Sequence, residues 1–194
     1  RLVAWGVSEG EQDYGQATVP EGLDSVSAIA AGQYHTVILK EDGTVESWGY
    51  NRNGVSTVPD GLDNVVAIGA GSLDSYAVKS DGTVVAWGSI YAAKRELPPG
   101  LDNAIAVAAG NLHAIALKAD GTVAVWGFYD YGQTRPPDDL GVVTKISAQH
   151  CHILALREDG TVSGWGDNRW GQSDIPPDLG TGVDIAAGYG HSVE

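Results

Sequence analysis

The sequence predicts an all-β protein, a β-propeller made of five copies of one 39-residue unit, each copy a blade of four short antiparallel strands. Three markers support this prediction: a Trp-Gly pair, an Asp-Gly pair and a proline each recur every 39 residues in one register, except that Trp5 precedes Trp48 by 43 residues because the first copy carries four extra residues between Gly6 and Pro20. No segment shows a helical apolar period over about ten residues, which argues against helices. The copies are centred on Trp5, Trp48, Trp87, Trp126 and Trp165.

Within one copy, β-prone runs alternate with turn signals. Residues 105–109 are predicted to form a buried first strand, residues 113–117 a second and residues 122–126 a third. Residues 118–121 should join the last two as a hairpin turn, because the glycine of the Asp-Gly pair adopts a positive φ easily. A weak fourth strand is expected between the Trp-Gly pair and the following proline.

The two ends of the chain predict how the ring closes. Residues 2–5 align with a third strand, and residues 183–187 and 191–193 align with the first two strands of a blade. We therefore expect the N-terminal strand to complete the C-terminal blade, which leaves no free sheet edge. Residues 1–194 would then form a single propeller domain. The alternative is a fragment of a seven-bladed propeller, since any array cut at one turn gives similar arithmetic.

Composition and charge exclude several classes of function. Eleven Lys and Arg against 25 Asp and Glu give a net charge of -14. This charge repels phosphate backbones and anionic membrane surfaces, so nucleic acid is not an expected partner. No run of about 18 apolar residues occurs, so membrane insertion is not expected either. Cys151 is the only cysteine, and we interpret it as a small core residue.

The sequence gives little support for catalysis, a cofactor or a metal site. No Gly-x-Ser-x-Gly, His-Glu-x-x-His or phosphate-binding motif occurs, and the Asp-Gly pairs are explained as turns. His150 and His152 would point the same way from one strand, but no third and fourth metal ligand is evident. A ring of repeated residues could also bind a metal in a central channel, but five-fold placement does not give a tetrahedral site. The ring consists of His35, His113, His152 and His191, with Asp74 in the fifth place. We expect each of these histidines instead to open a strand and to hydrogen-bond a neighbouring backbone.

Strand alternation predicts a binding face. The loop before each repeated His and the loop after each Trp-Gly pair should open on one face, with the Asp-Gly turns and proline linkers on the other. The first face varies between copies in large side chains, and Tyr, Trp and Arg concentrate in binding hot spots. The predicted binding residues are Tyr14, Gln33, Tyr34, Tyr50, Arg52, Tyr91, Phe128, Tyr129, Asp130, Tyr131, His150, Arg169, Trp170 and Tyr189.

The repeat resembles a known family. Val-Pro-x-Gly-Leu-Asp-x-Val at 19–26, Ala-Ile-Ala-Ala-Gly-x-x-His at 28–35 and Trp-Gly-x-Asn-x-x-Gly-Gln at 165–172 are similar to the regulator-of-chromosome-condensation repeat family. The period is similar to that of bacterial members, including the propeller-type β-lactamase inhibitor. Such propellers usually have seven blades, so five copies depart from the family pattern. The fold that this resemblance implies does not by itself give a function.

Three functional hypotheses follow. The first is a non-catalytic protein-binding module that uses the aromatic face and is inhibitor-like, as the resemblance implies. We expect it to be bacterial and extracellular or at the cell surface, with a cytoplasmic location as the alternative. The second is a lectin-like glycan binder, although a lectin with one site per blade should keep the same contact residues in each copy, and these loops differ. The third is a structural surface or filament subunit in which two chains exchange strands.

Overall fold

The computed structural model describes residues 2–6, 9–88, 96–128 and 130–194. Within these ranges every regular element is a β-strand, and no helix that could cross a membrane is found there. The strands are β1 (Val26–Ala31), β2 (His35–Lys40), β3 (Val45–Gly49), β4 (Val65–Ala70), β5 (Asp74–Lys79), β6 (Val84–Gly88), β7 (Ala104–Ala109), β8 (His113–Lys118), β9 (Val123–Gly127), β10 (Val143–Gln149), β11 (His152–Arg157), β12 (Val162–Gly166), β13 (Ala186–Ala187) and β14 (Ser192–Val193).

The strands form separate antiparallel sheets that follow one another along the chain. Four sheets have three strands, in the orders β1-β2-β3, β4-β5-β6, β7-β8-β9 and β10-β11-β12, and β13 pairs with β14 in a two-stranded sheet. The first strands of the sheets, β1, β4, β7, β10 and β13, contact one another in succession. This succession places the first strand of each sheet at the inside of a propeller-like arrangement.

The Asp-Gly pairs form the predicted hairpin turns. Gly43 has a φ of 80°, and its N–H donates to the carbonyl of Lys40 at 3.0 Å. The carboxylate of Asp42 accepts from the hydroxyl of Thr44 at 2.6 Å and from its backbone N–H at 2.9 Å. These bonds stabilise the ionised carboxylate, so the pKa of Asp42 lies below its ordinary value, with the hydroxyl as the main cause. The acidic turns therefore stay charged.

The hydrophobic core lies between consecutive sheets. Val37 and Leu39, which share one side of β2, pack with Val65, Ala77 and Trp87 of the next sheet. Equivalent clusters follow between the second and third sheets and between the third and fourth. Since the middle strands are covered on both sides, they consist of nearly continuous apolar runs. Each buried Val or Leu contributes roughly 1.5–3 kcal/mol to folding.

The predicted fourth strand is not formed in the four three-stranded sheets as far as they are described. After the Trp-Gly pair the chain turns, as the bond from Thr57 N–H to the Gly54 carbonyl shows. The carbonyl of Val55 accepts from the Trp87 indole N–H at 2.9 Å, and the linker turns again at Pro59. Proline has no N–H to donate. Backbone groups that a fourth strand would need are therefore committed elsewhere or missing.

The predicted closure of the ring is likewise not observed. Residues 2–5 form no strand, and β13 and β14 pair only with each other in the described part of the chain. Residues 2–5 instead line a surface pocket with Ile29 and Trp48 of the first sheet. Trp5 is 87% exposed, whereas its counterpart Trp87 is buried. Trp48 is only half-buried although its sheet is complete, whereas Trp87 packs against the preceding sheet. Burial of the repeated tryptophan thus requires a neighbouring sheet against it.

Candidate functional site

The loops predicted to share a face do lie together at one edge of the sheets. The N–H of Tyr50 donates to the carbonyl of Tyr34 at 2.8 Å, and that of Phe128 donates to Leu112 at the same distance. In each pair, the loop that precedes the repeated His position is thus tied to the loop that follows Trp-Gly. The strand-end pairing His35 with Gly49 explains this proximity.

The predicted binding residues separate into two groups and several single positions. Arg52 and Asp130 are exposed in turns, and Phe128 is half-buried. Tyr91 and Tyr129 lie outside the described residues. The remaining positions form a tyrosine cluster (Tyr14, Tyr34 and Tyr50, with Gln33 beside it) and a tryptophan cluster (Tyr131, His150, Arg169, Trp170 and Tyr189).

A short turn presents Tyr14 of the tyrosine cluster and both Tyr131 and Trp170 of the tryptophan cluster. In the sequence aromatic-Gly-Gln, the side-chain carbonyl of Gln172 accepts the backbone N–H of Trp170 at 2.9 Å. Gly171 between them has a φ of 76°, which glycine adopts without steric cost. Gln16 and Gln133 hold Tyr14 and Tyr131 in the same way, at 2.8 and 2.9 Å. The turn therefore fixes the backbone while the ring projects outward.

The tyrosine cluster consists of rings that pack against each other. The centroids of Tyr14 and Tyr50 are 4.8 Å apart at 73°, and those of Tyr14 and Tyr34 are 5.5 Å apart at 76°. Both are edge-to-face geometries, which aromatic pairs favour. The side-chain N–H of Gln33 donates to the Tyr34 hydroxyl at 3.0 Å. Because these rings cover each other, Tyr34 and Tyr50 are only half-exposed.

The tryptophan cluster differs in the angles between its rings: those of His150, Tyr189 and Trp170 form a triangle and are tilted by only 29–36° to one another. The ring centroids of His150 and Tyr189 are 4.1 Å apart with an interplanar angle of 36°. Those of Tyr189 and Trp170 are 5.9 Å apart with an angle of 29°. Trp170 is 57% exposed and Tyr189 is 64% exposed. The cluster therefore offers an extended aromatic surface to a partner.

A buried carboxylate fixes the arginine of this cluster. Asp167 is buried and accepts two side-chain bonds from Arg169, at 2.9 Å from Nε and 2.8 Å from a terminal nitrogen. The guanidinium lies 4.8 Å from the ring centre of Tyr131 and 5.4 Å from that of Trp170. The bonds from Arg169 hold the pKa of Asp167 below its ordinary value. The arginine is thus held in place and its charge is balanced.

Two of the repeated histidines, His35 and His152, connect adjacent sheets. His35 Nε2 lies 2.9 Å from the Ser75 hydroxyl, which donates onward to the Val55 carbonyl at 2.9 Å. His152 makes the equivalent contact with Ser192 at 3.2 Å. The partner is thus a serine of the next sheet, rather than the backbone that the sequence suggested. Burial lowers the pKa of His35 to about 4.

The side chains of His150 and His152 do not point the same way, contrary to the expectation from strand alternation. His150 has a φ of 47° and lies in the turn between β10 and β11, so strand alternation does not apply to it. Its ring stacks on Tyr189, whereas His152 is buried against Ser192. Among the described residues, no group of three His, Cys, Asp or Glu side chains is placed to hold a metal ion.

One position per copy surrounds a pocket at the centre of this face, here called the axial pocket. Its volume is about 220 Å³. Gln33, Ser72, Asn111, His150 and Tyr189 are spaced 39 residues apart and all line it, and Gln149 adds a sixth side chain. The five sheets therefore face a common axis. Ser72 and Asn111 are hydrogen-bonded to each other.

The sequence prediction missed three groups of residues in this region. It selected large side chains and so omitted Ser72, Asn111 and Gln149, although Ser72 and Asn111 share the repeat position of Gln33. Gln172 and its equivalents were available from the aromatic-Gly-Gln spacing. Asp167 carried no signal, since nothing local indicates that this carboxylate is buried beneath an arginine.

Comparison with known proteins identifies the fold. Residues 26–55, 104–133 and 143–172 match the regulator of chromosome condensation (RCC1) repeat. The protein has an RCC1-like β-propeller fold. Each match spans one complete sheet and the aromatic-Gly-Gln position or its equivalent. The RCC1 type of repeat thus agrees with the family resemblance seen in the sequence, whereas a particular closeness to the bacterial inhibitor is not shown.

Solved RCC1-like structures share this architecture at low sequence identity. Human WBSCR16 aligns with a TM-score of 0.75 and 21% identity over 92% of this chain and 64% of its own. Yeast RCC1 (Prp20), solved with Kap60, aligns with a TM-score of 0.74 and 18% identity over 90% of this chain and 54% of its own. Prp20p from Saccharomyces cerevisiae, whose binding to Gsp1p and histones was studied, aligns with a TM-score of 0.65 and 19% identity over 76% of this chain and 46% of its own. A search of curated protein sequences finds no match.

The chain spans roughly half to two thirds of the length of these structures. At such identities the similarity shows the fold alone.

Proposed function

We propose that this protein is a non-catalytic module that binds another protein through the face that carries the two aromatic clusters. The observation that carries the proposal is the tryptophan cluster, in which Trp170 and Tyr189 are exposed on a rigid support. Rigid aromatic side chains add contact area while losing little conformational entropy on binding, which favours affinity.

The balance of charge within this cluster also supports a protein partner. Arg169 is held by Asp167, so its planar group is presented between aromatic rings with little net charge. Trp, Tyr and Arg are the side chains most often found at the centre of protein interfaces. A partner that meets this surface with apolar and hydrogen-bonding groups would bury it without leaving a charge unpaired.

The RCC1-like structures provide support of a general kind. Yeast RCC1 was solved bound to Kap60, and Prp20p was studied for binding to Gsp1p and histones. We extend to this chain only the general property of binding proteins. An inhibitor-like role, a bacterial source, a location outside the cell and strand exchange between chains stay predictions.

The proposal is tested by comparing two triple variants. The first, Tyr34→Ala, Tyr131→Ala and Trp170→Ala, removes three rings from the proposed face. The control, Val66→Ala, Ile105→Ala and Val142→Ala, removes exposed apolar side chains near the opposite ends of the strands. Immobilised wild-type and variant proteins are used to capture partners from an extract of the source organism, and the circular dichroism of each is recorded.

We expect the first variant to lose its specific partner and the control to retain it, with both circular dichroism spectra unchanged. Capture that survives the loss of all three rings would refute the proposal. A separate arm adds purified class A β-lactamase to the wild-type protein and measures its hydrolytic rate. This arm tests the inhibitor-like role without affecting the wider proposal.

A further inference from the structure

The axial pocket is built on rigid backbone. The N–H of Gln33 donates to the carbonyl of Gly71 at 3.2 Å, and the N–H of Asn111 donates to that of His150 at 2.6 Å. These bonds link the pocket-lining loop of one sheet to that of the next. Each loop also spans only a few residues between paired strands. The lining positions are therefore fixed before any ligand arrives, which favours binding of a small molecule.

The lining is polar but carries no fixed charge. Gln33, Asn111 and Gln149 contribute carboxamides, and Ser72 and Tyr189 contribute hydroxyls. Each of these groups can both donate and accept hydrogen bonds. The described lining includes no carboxylate, ammonium or guanidinium group. Such a lining suits a ligand that itself carries several hydroxyl groups, each acting as donor and acceptor.

One wall of the pocket is aromatic. The His150 and Tyr189 ring centroids are 4.1 Å apart, and Trp170 lies beside both rings but outside the pocket lining. Tyr189 is 64% exposed, and an exposed aromatic ring packs against the C–H face of a sugar ring, while the hydroxyl groups around the edge of that ring reach polar partners.

The volume of the pocket and the net charge of the protein restrict the class of ligand further. At about 220 Å³ the pocket is smaller than the roughly 300–1,000 Å³ typical of sites for drug-sized ligands. One six-membered sugar ring is therefore a better match than an extended chain. The net charge of -14 disfavours anionic sugars such as uronic acids.

From these observations we propose that the axial pocket binds one uncharged pyranose ring. There is one such site per molecule, at the common axis, unlike a lectin with a separate site on every blade. The proposal shares Tyr189 and His150 with the proposed protein-binding surface, but its polar contacts come from Gln33, Ser72, Asn111 and Gln149, which the protein-binding proposal does not use. The ring is supplied either as a free monosaccharide or as the end of a glycan.

The test is a two-dimensional NMR titration that follows the side-chain amide signals of Gln33, Asn111 and Gln149. The probes are the methyl glycosides of glucose, galactose, mannose and N-acetylglucosamine, with glucuronic acid as the anionic comparison. We expect at least one neutral glycoside to shift these amide signals in a saturable way and glucuronic acid to leave them in place. A short oligosaccharide ending in the active sugar distinguishes the two sources, since tighter binding than the monosaccharide indicates a glycan.

Variants at exposed positions identify the site without threatening the fold. Gln33→Ala and Tyr189→Ala should each weaken sugar binding by about tenfold, whereas Tyr189→Phe should stay within about threefold because it keeps the wall. Asn53→Ala, in a turn outside the pocket lining, serves as the amide control and should bind as the wild type does. Absence of saturable shifts with every neutral glycoside would overturn the proposal. If Gln33→Ala instead abolishes protein capture, the pocket receives a protein side chain and the sugar assignment is wrong.

Discussion

The two aromatic clusters occupy the same face and use the same turn, yet they present different surfaces. Tyr14 and Trp170 are both held by a glutamine two residues later. Tyr14 packs edge-to-face onto Tyr34 and Tyr50, so the rings of the tyrosine cluster cover part of one another's surface. Trp170 instead meets the His150 and Tyr189 rings at shallow angles of 31° and 29° and stays more than half exposed.

The residue before the presented ring explains part of this difference. Arg169 precedes Trp170 and extends over its ring, whereas Asp13 precedes Tyr14 and accepts a bond from the N–H of Gly15. An arginine can stack on rings, but a short carboxylate cannot. The comparison teaches that one shared turn can support either a self-packed aromatic group or an open one, and that the open one is the better candidate for binding.

The largest expected effect separates the clusters by binding. Trp170→Ala should reduce the free energy of binding to the captured partner by up to about 4 kcal/mol, as removal of a central hot-spot residue does. Tyr14→Ala, at the equivalent position, should cost less than about 1 kcal/mol. Surface plasmon resonance against the identified partner measures both. Equal losses for the two variants would remove the distinction between the clusters.

The histidines beside the two clusters predict different responses to acid. Burial lowers the pKa of His35 from 6.5 to about 4 in the folded state. The unfolded chain therefore binds more protons between these values, so stability is full above pH 6.5 and falls as the pH drops towards 4, by up to about 3 kcal/mol. The pKa of His152 is also lowered by burial, but the Asp167 carboxylate opposes this shift.

We accordingly expect His35→Gln to flatten the pH dependence of the unfolding free energy more than His152→Gln does. Urea denaturation at a series of pH values between 4 and 7 measures this difference. Parallel curves for the wild type and His35→Gln would show that His35 does not contribute to acid sensitivity.

The glutamines beneath the two clusters should differ in their contribution to stability. Gln172→Ala leaves the Trp170 N–H without its acceptor at a buried position, and we expect a loss of about 1–2 kcal/mol in unfolding free energy. Gln16 is half-exposed, so water can replace its carbonyl and Gln16→Ala should cost less than about 1 kcal/mol. Chemical denaturation of the two variants tests this, and the reverse order would contradict it.

The smallest effect concerns the fixed arginine. Asp167→Asn keeps the shape of the side chain but removes the charge that holds Arg169, so Arg169 must be ordered when the partner binds. We expect binding to weaken about three- to tenfold. Asp13→Asn is the matched control beside the tyrosine cluster and should bind normally. An unchanged affinity for Asp167→Asn would show that the arginine needs no such restraint.

The parts of the fold that depend on local chemistry were predictable from the sequence. Asp42-Gly43-Thr44 forms its turn through bonds within four residues, and the inner apolar runs become strands because both their sides are covered. The shared face of the two loop types also followed from strand alternation. The prediction of a fourth strand was wrong because the Val55 carbonyl accepts a hydrogen bond from Trp87, 32 residues away. No local sequence pattern indicates that contact.

The sequence by itself determined the repeat, the strands, the hairpins and the identity of the residues that vary between copies. Only the tertiary structure decided which of those residues meet: the three tyrosines at one place, the rings of His150, Tyr189 and Trp170 at another, and the polar side chains around the axial pocket. The physical reason is that turns and strands depend on neighbours along the chain. Contacts between positions about forty residues apart depend instead on how one sheet packs against the next.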